Sequence, residues 1–182
     1  MVNMRNFDPF DWYWLATDGR VFSSKRQATV AGDDADYKAF SATTAPTPWP
    51  RDAAAVQTSA ALQEVLAPYG LFVDLASYAA ARRYTKEIGG IVVSGMSIDT
   101  SRESQSMIAN AYSYVQASNA ESVRFKAASG WVTMSADQIK AIALAVGAHV
   151  QAAFKIESDL ADGIAAFPPT ITSREQIDAA FA

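Results

Sequence analysis

Apolar residues recur at three- and four-residue steps through the second half of the chain, the spacing of one helix face. Met107, Ile108, Ala111, Tyr114 and Val115 make one stripe. Ile139, Ile142, Val146, Val150, Ala153 or Phe154, Leu160 and Ile164 make a longer one, which predicts a helix from roughly Ala136 to Ala166, ended by Pro168-Pro169. Between these stripes the period changes. Ser122 to Lys126 alternates polar and apolar, Ser129-Gly130 offers a turn, and Trp131 to Met134 returns as a second strand.

The segment Arg82 to Gln105 compresses three signals into two dozen residues. Gly89-Gly90 stops a helix that carries Tyr78, Ala81 and Tyr84 and that Asp74 or Ser77 starts. Ile91-Val92-Val93, Ser94-Gly95 and Met96-Ser97-Ile98 read as a hairpin. Thr100 with Glu103 has the spacing of a capping box, as do Ser135 with Gln138 and Thr172 with Glu175, the last before a short terminal helix carrying Ile177 and Phe181. Hairpin followed by capped helix therefore occurs twice in the later part of the chain.

The first fifty residues are patterned differently. Trp12-Tyr13-Trp14-Leu15, Asp18-Gly19 and Val21-Phe22 predict a hairpin, because an Asp-Gly pair suits the positive φ of a tight turn. Asp33 to Tyr37 reads as the acidic first turn of a helix reaching Phe40. Thr43 to Asp52 holds three prolines around Trp49 and reads as a loop or linker, and Ala53 to Leu66 as an alanine-rich helix ending at Pro68 and Gly70. The fold class expected is α+β, with short antiparallel hairpins packed on several helices and one long helix near the C-terminus. The expected division is an aromatic-rich hairpin segment and Pro-rich linker over 1–52, then a helix-rich α+β domain over 53–182.

Composition narrows function mainly by exclusion. Half of the 182 residues are apolar, enough to fill a core. A net charge of -4, with basic clusters no longer than Lys25-Arg26 and Arg82-Arg83, argues against a nucleic-acid partner. No apolar run approaches the roughly 20 residues of a membrane span, and the first residues contain no apolar signal core, so a cytoplasmic protein without a membrane partner is expected. Cysteine is absent, which removes thiol chemistry and the usual zinc sites, and no cofactor is expected.

The candidate chemistry is sparse. His149 is the single histidine and lies at the edge of the long apolar stripe, which suits packing better than base catalysis. Asp99 and Glu103 flank a helix start, where they complement the dipole. No Gly-x-Ser-x-Gly elbow or phosphate loop is present. The residues with most to offer a partner are Trp12, Trp14 and Trp49, with Arg51 beside them, since aromatics and arginine anchor interfaces. The same tryptophans suit the core of a small sheet, the more usual place for aromatics.

From about Tyr78 onward the chain resembles a family of phage domains of unknown function, DUF4376, found in tail-region proteins of tailed phages and prophages. The resemblance rests on Tyr84 to Ile91, Gly95, Ile98, Asp99-Thr100 and Arg102 to Gln105. It continues through Phe125 to Ala128, Gly130, Ser135-Ala136 and His149 to Phe154. Trp12 to Trp14, Asp18 to Ser24 and Pro46 to Asp52 look like the leading segment of such phage proteins. Ala153, where relatives are expected to carry cysteine, and Ala54-Ala55, where the linker often continues with glycine, depart from the pattern. The resemblance implies a tail-fibre-associated protein, either an accessory subunit docked on a fibre or baseplate protein or a fibre assembly factor, located in the host cytoplasm or in the virion tail. Two other readings compete. One is a homo-oligomeric module self-associating through the long helix. The other is a hydrolase in which Asp99, Glu103 and His149 converge in one pocket.

Overall fold

The structure, a computed structural model, describes residues 6–127 and 130–182. It is an α+β chain that divides into two compact units, 1–78 and 79–182.

The first unit is organised by its aromatic run. β1 (Tyr13–Leu15) pairs antiparallel with β2 (Val21–Ser23) around Asp18-Gly19, with Gly19 at φ +90°. β3 (Ala28–Val30) extends the sheet beyond β2, α1 (Ala35–Ser41) follows from its Asp34 cap, and β4 (Thr47–Pro48) pairs parallel with β1, giving the order β3-β2-β1-β4. Pro48 is tolerated because β4 is an edge. The proline segment expected to be a linker is thus part of the sheet. Trp49, 2% exposed, is in the core, and its indole N–H donates to Thr58 O at 2.9 Å.

The helix expected from Ala53 starts later, as α2 (Ser59–Leu66) capped by Thr58. Asp52 explains the delay. Its carboxylate accepts from the Ala54 and Val56 amides, and Ala55 takes φ +61°, so side-chain hydrogen bonds compete with the helix there. A single 3₁₀ turn (Ala67–Tyr69) follows, and Gly70, at φ +68°, turns the chain toward Leu71 and Val73. Trp12, Trp14, Phe22, Phe40, Trp49, Leu62 and Leu66 form one apolar core.

The division between the units falls inside α3 (Leu75–Glu87), where Asp74 accepts from the Ser77 amide. In the second unit β5 (Ile91–Val93) and β6 (Met96–Ile98) form a hairpin through Ser94 and Gly95, at φ +50° and +80°, the geometry that suits strand twist. α4 (Arg102–Ser118) stops at Asn119, which is left-handed. β7 (Ser122–Ala127) and β8 (Gly130–Ser135) make the second hairpin; the expected turn includes Ser129, which lies outside the described residues. α5 (Ala136–Ala165) and α6 (Arg174–Phe181) complete the unit.

Ile108, Met134, Ile139, Ile142 and Val146 form its core, against which Ile91, Val93, Ile98, Val123, Phe125 and Val132 pack from the two hairpins. The Ser135–Gln138 capping box forms as expected. At the other two starts the cap lies one residue later: Ser101 caps α4 by accepting from the Ser104 amide, with no reciprocal bond, and Ser173 with Gln176 forms a capping box at α6. Thr-Ser-Arg-Glu occurs at both starts, so each offers two adjacent hydroxyls and only the surroundings choose between them.

Candidate functional site: a buried carboxylate and the clefts beside it

Glu87, the last residue of α3, is 3% exposed. An uncompensated carboxylate at that depth is costly, and α4 supplies much of the compensation. Arg102 Nε and Gln105 Nε2 both reach Glu87 Oε1 at 3.3 Å, while Arg83, one turn back on α3, pairs with Oε2. Arg83 also donates through Nε to Glu157 of α5 at 2.8 Å and lies over the Phe154 ring at 4.5 Å. Burial pushes the Glu87 carboxyl up, but the hydrogen bonds from Gln105, Arg102 and Arg83 outweigh it, so its pKa is held below the ordinary carboxylate range.

Backbone ties close the same corner. The Thr100 hydroxyl, fully buried, donates to Glu87 O at 2.7 Å and accepts from Gly90 N at 2.9 Å. Gln105 Nε2 also donates to Thr100 O at 2.8 Å. His149 reaches the α3 end from α5: its Nε2 lies 2.9 Å from Lys86 O, and because a carbonyl only accepts, that nitrogen carries the proton. The end of α3, the β5–β6 hairpin and the start of α4 are thereby fixed to one another. Residues quoted for the family resemblance, from Tyr84 to Gly90, from Asp99 to Gln105 and from His149 to Phe154, build this corner.

Two clefts open beside it. One, of about 780 Å³, lies between the hairpins, lined by Met96, Ser97 and Ile98 of β6 and by Val132, Thr133 and Met134 of β8, with Gly89 and Gly90 at its wall. The adjoining one, of about 360 Å³, shares Ser97, Ile98, Asp99, Ala127 and Met134 and adds Glu103, Met107 and Phe125. Asp99 accepts from the Ser104 hydroxyl at 2.6 Å and from the Ser101 amide and hydroxyl at 2.8 and 2.9 Å, and these bonds hold its pKa low.

The structure separates several residues that the sequence grouped. Asp99 and Glu103 line one cleft, whereas His149 lines another with Arg82 and Lys86, so the three do not converge. Among the described residues no group of three His, Asp or Glu side chains is placed to hold a metal ion. Trp12, Trp14 and Trp49 are buried in the core of the first unit, 6%, 2% and 2% exposed. Trp12 donates from its indole to Thr47 Oγ1 at 2.8 Å, and Arg20 stacks on Trp49 at 4.7 Å. Arg51 is exposed and donates to Ala55 O within its own loop. The Glu87 corner was missed because its members are polar and spread over 75 residues. The one signal available was an acidic residue at a helix C-terminus, against the dipole.

By length and hydropathy alone the 30-residue helix α5 is able to cross a membrane, and 22% of its most apolar window is buried. The expectation that no apolar run reaches membrane length therefore does not extend to this helix, whose stretch from Ile139 to Ile156 is interrupted by the polar residues Lys140, His149, Gln151 and Lys155.

The second unit thus consists of two capped hairpin–helix pieces joined at a buried carboxylate. The model of a domain of unknown function, DUF4376, matches residues 73–181, and the chain belongs to that family. Neither a curated protein nor a solved structure matches it.

Proposed function

We propose that this protein works by docking on another polypeptide, a tail-fibre or baseplate component of a phage or prophage, as an accessory subunit or an assembly factor. The observation that carries the docking reading is the unburied apolar surface of α5. Leu144 is 60% exposed and edges an apolar groove of about 390 Å³ between α4 and α5, with Ala109, Tyr112 and Gly147. Ala141, Ala148 and Ala152 are exposed along the same helix and allow close approach of a partner. Exposed apolar residues that continue along one helix face into a groove are what supports a docking role. The tail context is what the family resemblance implies.

The test is co-purification of the full chain with a tail-fibre protein from the same phage or prophage, compared with Leu144→Glu and Ala148→Glu variants. Capture lost in both, with melting temperature unchanged, supports the reading. Absence of capture by the parent protein, or partition into neutral phosphatidylcholine vesicles instead, refutes it. Mass spectrometry of purified virions separates a resident subunit, present in fixed ratio, from an assembly factor, absent from the particle. The homo-oligomeric reading uses the same exposed helix face, and light scattering over a concentration series decides it.

A further inference from the structure

The two hairpins of the second unit lie on one apolar layer yet belong to separate two-stranded sheets. The cleft between them is flanked by β6 and β8, so each hairpin turns an unpaired edge toward it. Antiparallel pairs alternate between those that exchange hydrogen bonds and those that do not. In a hairpin closed by two residues the flanking pair is bonded, here Val93 with Met96 and Ala127 with Gly130. Counting from there, Ser97 pairs with Val92 without exchanging bonds, and Thr133 pairs likewise with Arg124. The peptide N–H and C=O groups of Ser97 and Thr133 therefore point to the free edges. Two rows of donors and acceptors border a cleft of about 780 Å³.

We infer that this cleft receives an extended segment of the partner polypeptide, which enters as an added strand and joins the two hairpins into one sheet. The inference rests on the docking reading and names its site and binding mode. An added strand satisfies both edges at once, which neither a helix nor a compact small molecule does. Its alternate side chains would face inward onto Met96, Ile98, Val132 and Met134, so that half must be apolar. Its outward side chains would lie beside Ser97 of β6 and Thr133 of β8, near Trp131, which is 65% exposed on the outer face of its hairpin. Gly89 and Gly90 leave the cleft wall as bare backbone, allowing close approach of another main chain. Among the described residues the adjoining cleft holds Asp99 and Glu103 against the single cation Lys126, so a Lys or Arg at that end of the segment is favoured.

The probe is a random dodecapeptide library displayed on ribosomes and selected on the full-length protein. The selected peptides should alternate apolar and polar residues. On binding of a synthetic copy, amide exchange at Ser97 and Thr133 should slow at least tenfold. N-methylating the peptide at the residues that donate to these edges should weaken binding at least tenfold, a change that leaves the protein's fold untouched. Peptides with helical apolar spacing, unprotected Ser97 and Thr133 amides, indifference to N-methylation, or no enrichment would each overturn the inference. Ser97→Pro and Thr133→Pro variants separate it from the reading beneath it. Tail-fibre capture that survives both but fails in Leu144→Glu leaves docking intact and removes the strand; absence of capture by the parent chain removes docking itself.

Discussion

Replacing Glu87 by Gln probes what holds the second unit together. The substitution keeps the shape and removes the charge. Arg83 would retain Glu157 at 2.8 Å and the Phe154 ring, but would lose the partner buried beside it. Breaking a buried pair by removing one member costs about 3–5 kcal/mol when the remaining charge is left alone. Because Arg83 keeps one anion, the expected loss is about 2–3 kcal/mol, and at roughly 2–4 °C per kcal/mol the melting temperature should fall by about 4–12 °C. Scanning calorimetry or circular dichroism melts at pH 7 measure it.

The pH dependence supplies an independent check. Glu87 has a folded pKa depressed below its unfolded value of about 4.3, so its contribution is present above that value and is lost as pH falls through the folded one. The gap between parent and variant should therefore be widest near neutrality and close in acid. A melting temperature unchanged by Glu87→Gln, or a gap as wide at pH 3 as at pH 7, would refute the claim that an ionised, buried Glu87 ties α3 to α4.

Three further outcomes follow from individual contacts. Thr100→Val leaves Glu87 O and Gly90 N without the hydroxyl that bridges them, and should cost about 1–3 kcal/mol in urea unfolding, with faster amide exchange at Gly90. A Cβ on Gly163 would lie 2.6 Å from Ile171 Cγ1 and 2.9 Å from Thr170 Oγ1, so Gly163→Ala should destabilise by about 1–3 kcal/mol. Adding Ile171→Ala removes the closer of the two contacts, and a double variant no more stable than Gly163→Ala alone would contradict it. Trp14→Ala deletes a core side chain and should cost about 3–5 kcal/mol, seen as a red-shifted tryptophan emission at lower denaturant; unchanged unfolding with altered partner binding would restore the surface role expected from sequence.

Much of the fold was legible because its signals are local. The Asp18-Gly19 and Ser94-Gly95 turns, the stripe of α5 and its Ser135–Gln138 cap each depend on residues within a few positions of one another, and all are present. The misreadings came where two local solutions were nearly equal. Thr100 and Ser101 are both able to cap α4, and the choice fell to Ser101 because burial drew the Thr100 hydroxyl into bridging Glu87 and Gly90. Alanines 53–55 favour helix by propensity, but the Asp52 carboxylate accepts from the Ala54 and Val56 amides and delays the start to Ser59.

By itself the sequence determined the α+β class and the two hairpin–helix pieces, since spacing and turn chemistry are properties of neighbouring residues, and the Tyr84 to Gln105 run carried the resemblance to the family whose model matches residues 73–181. Tertiary structure alone decided that the tryptophans face inward, that Glu87 is buried among residues from α3, α4 and α5, and that β6 and β8 present unpaired edges across a cleft. Those facts depend on which distant surfaces meet. Burial and pairing energies are set by that meeting, and periodicity along a chain carries no record of it.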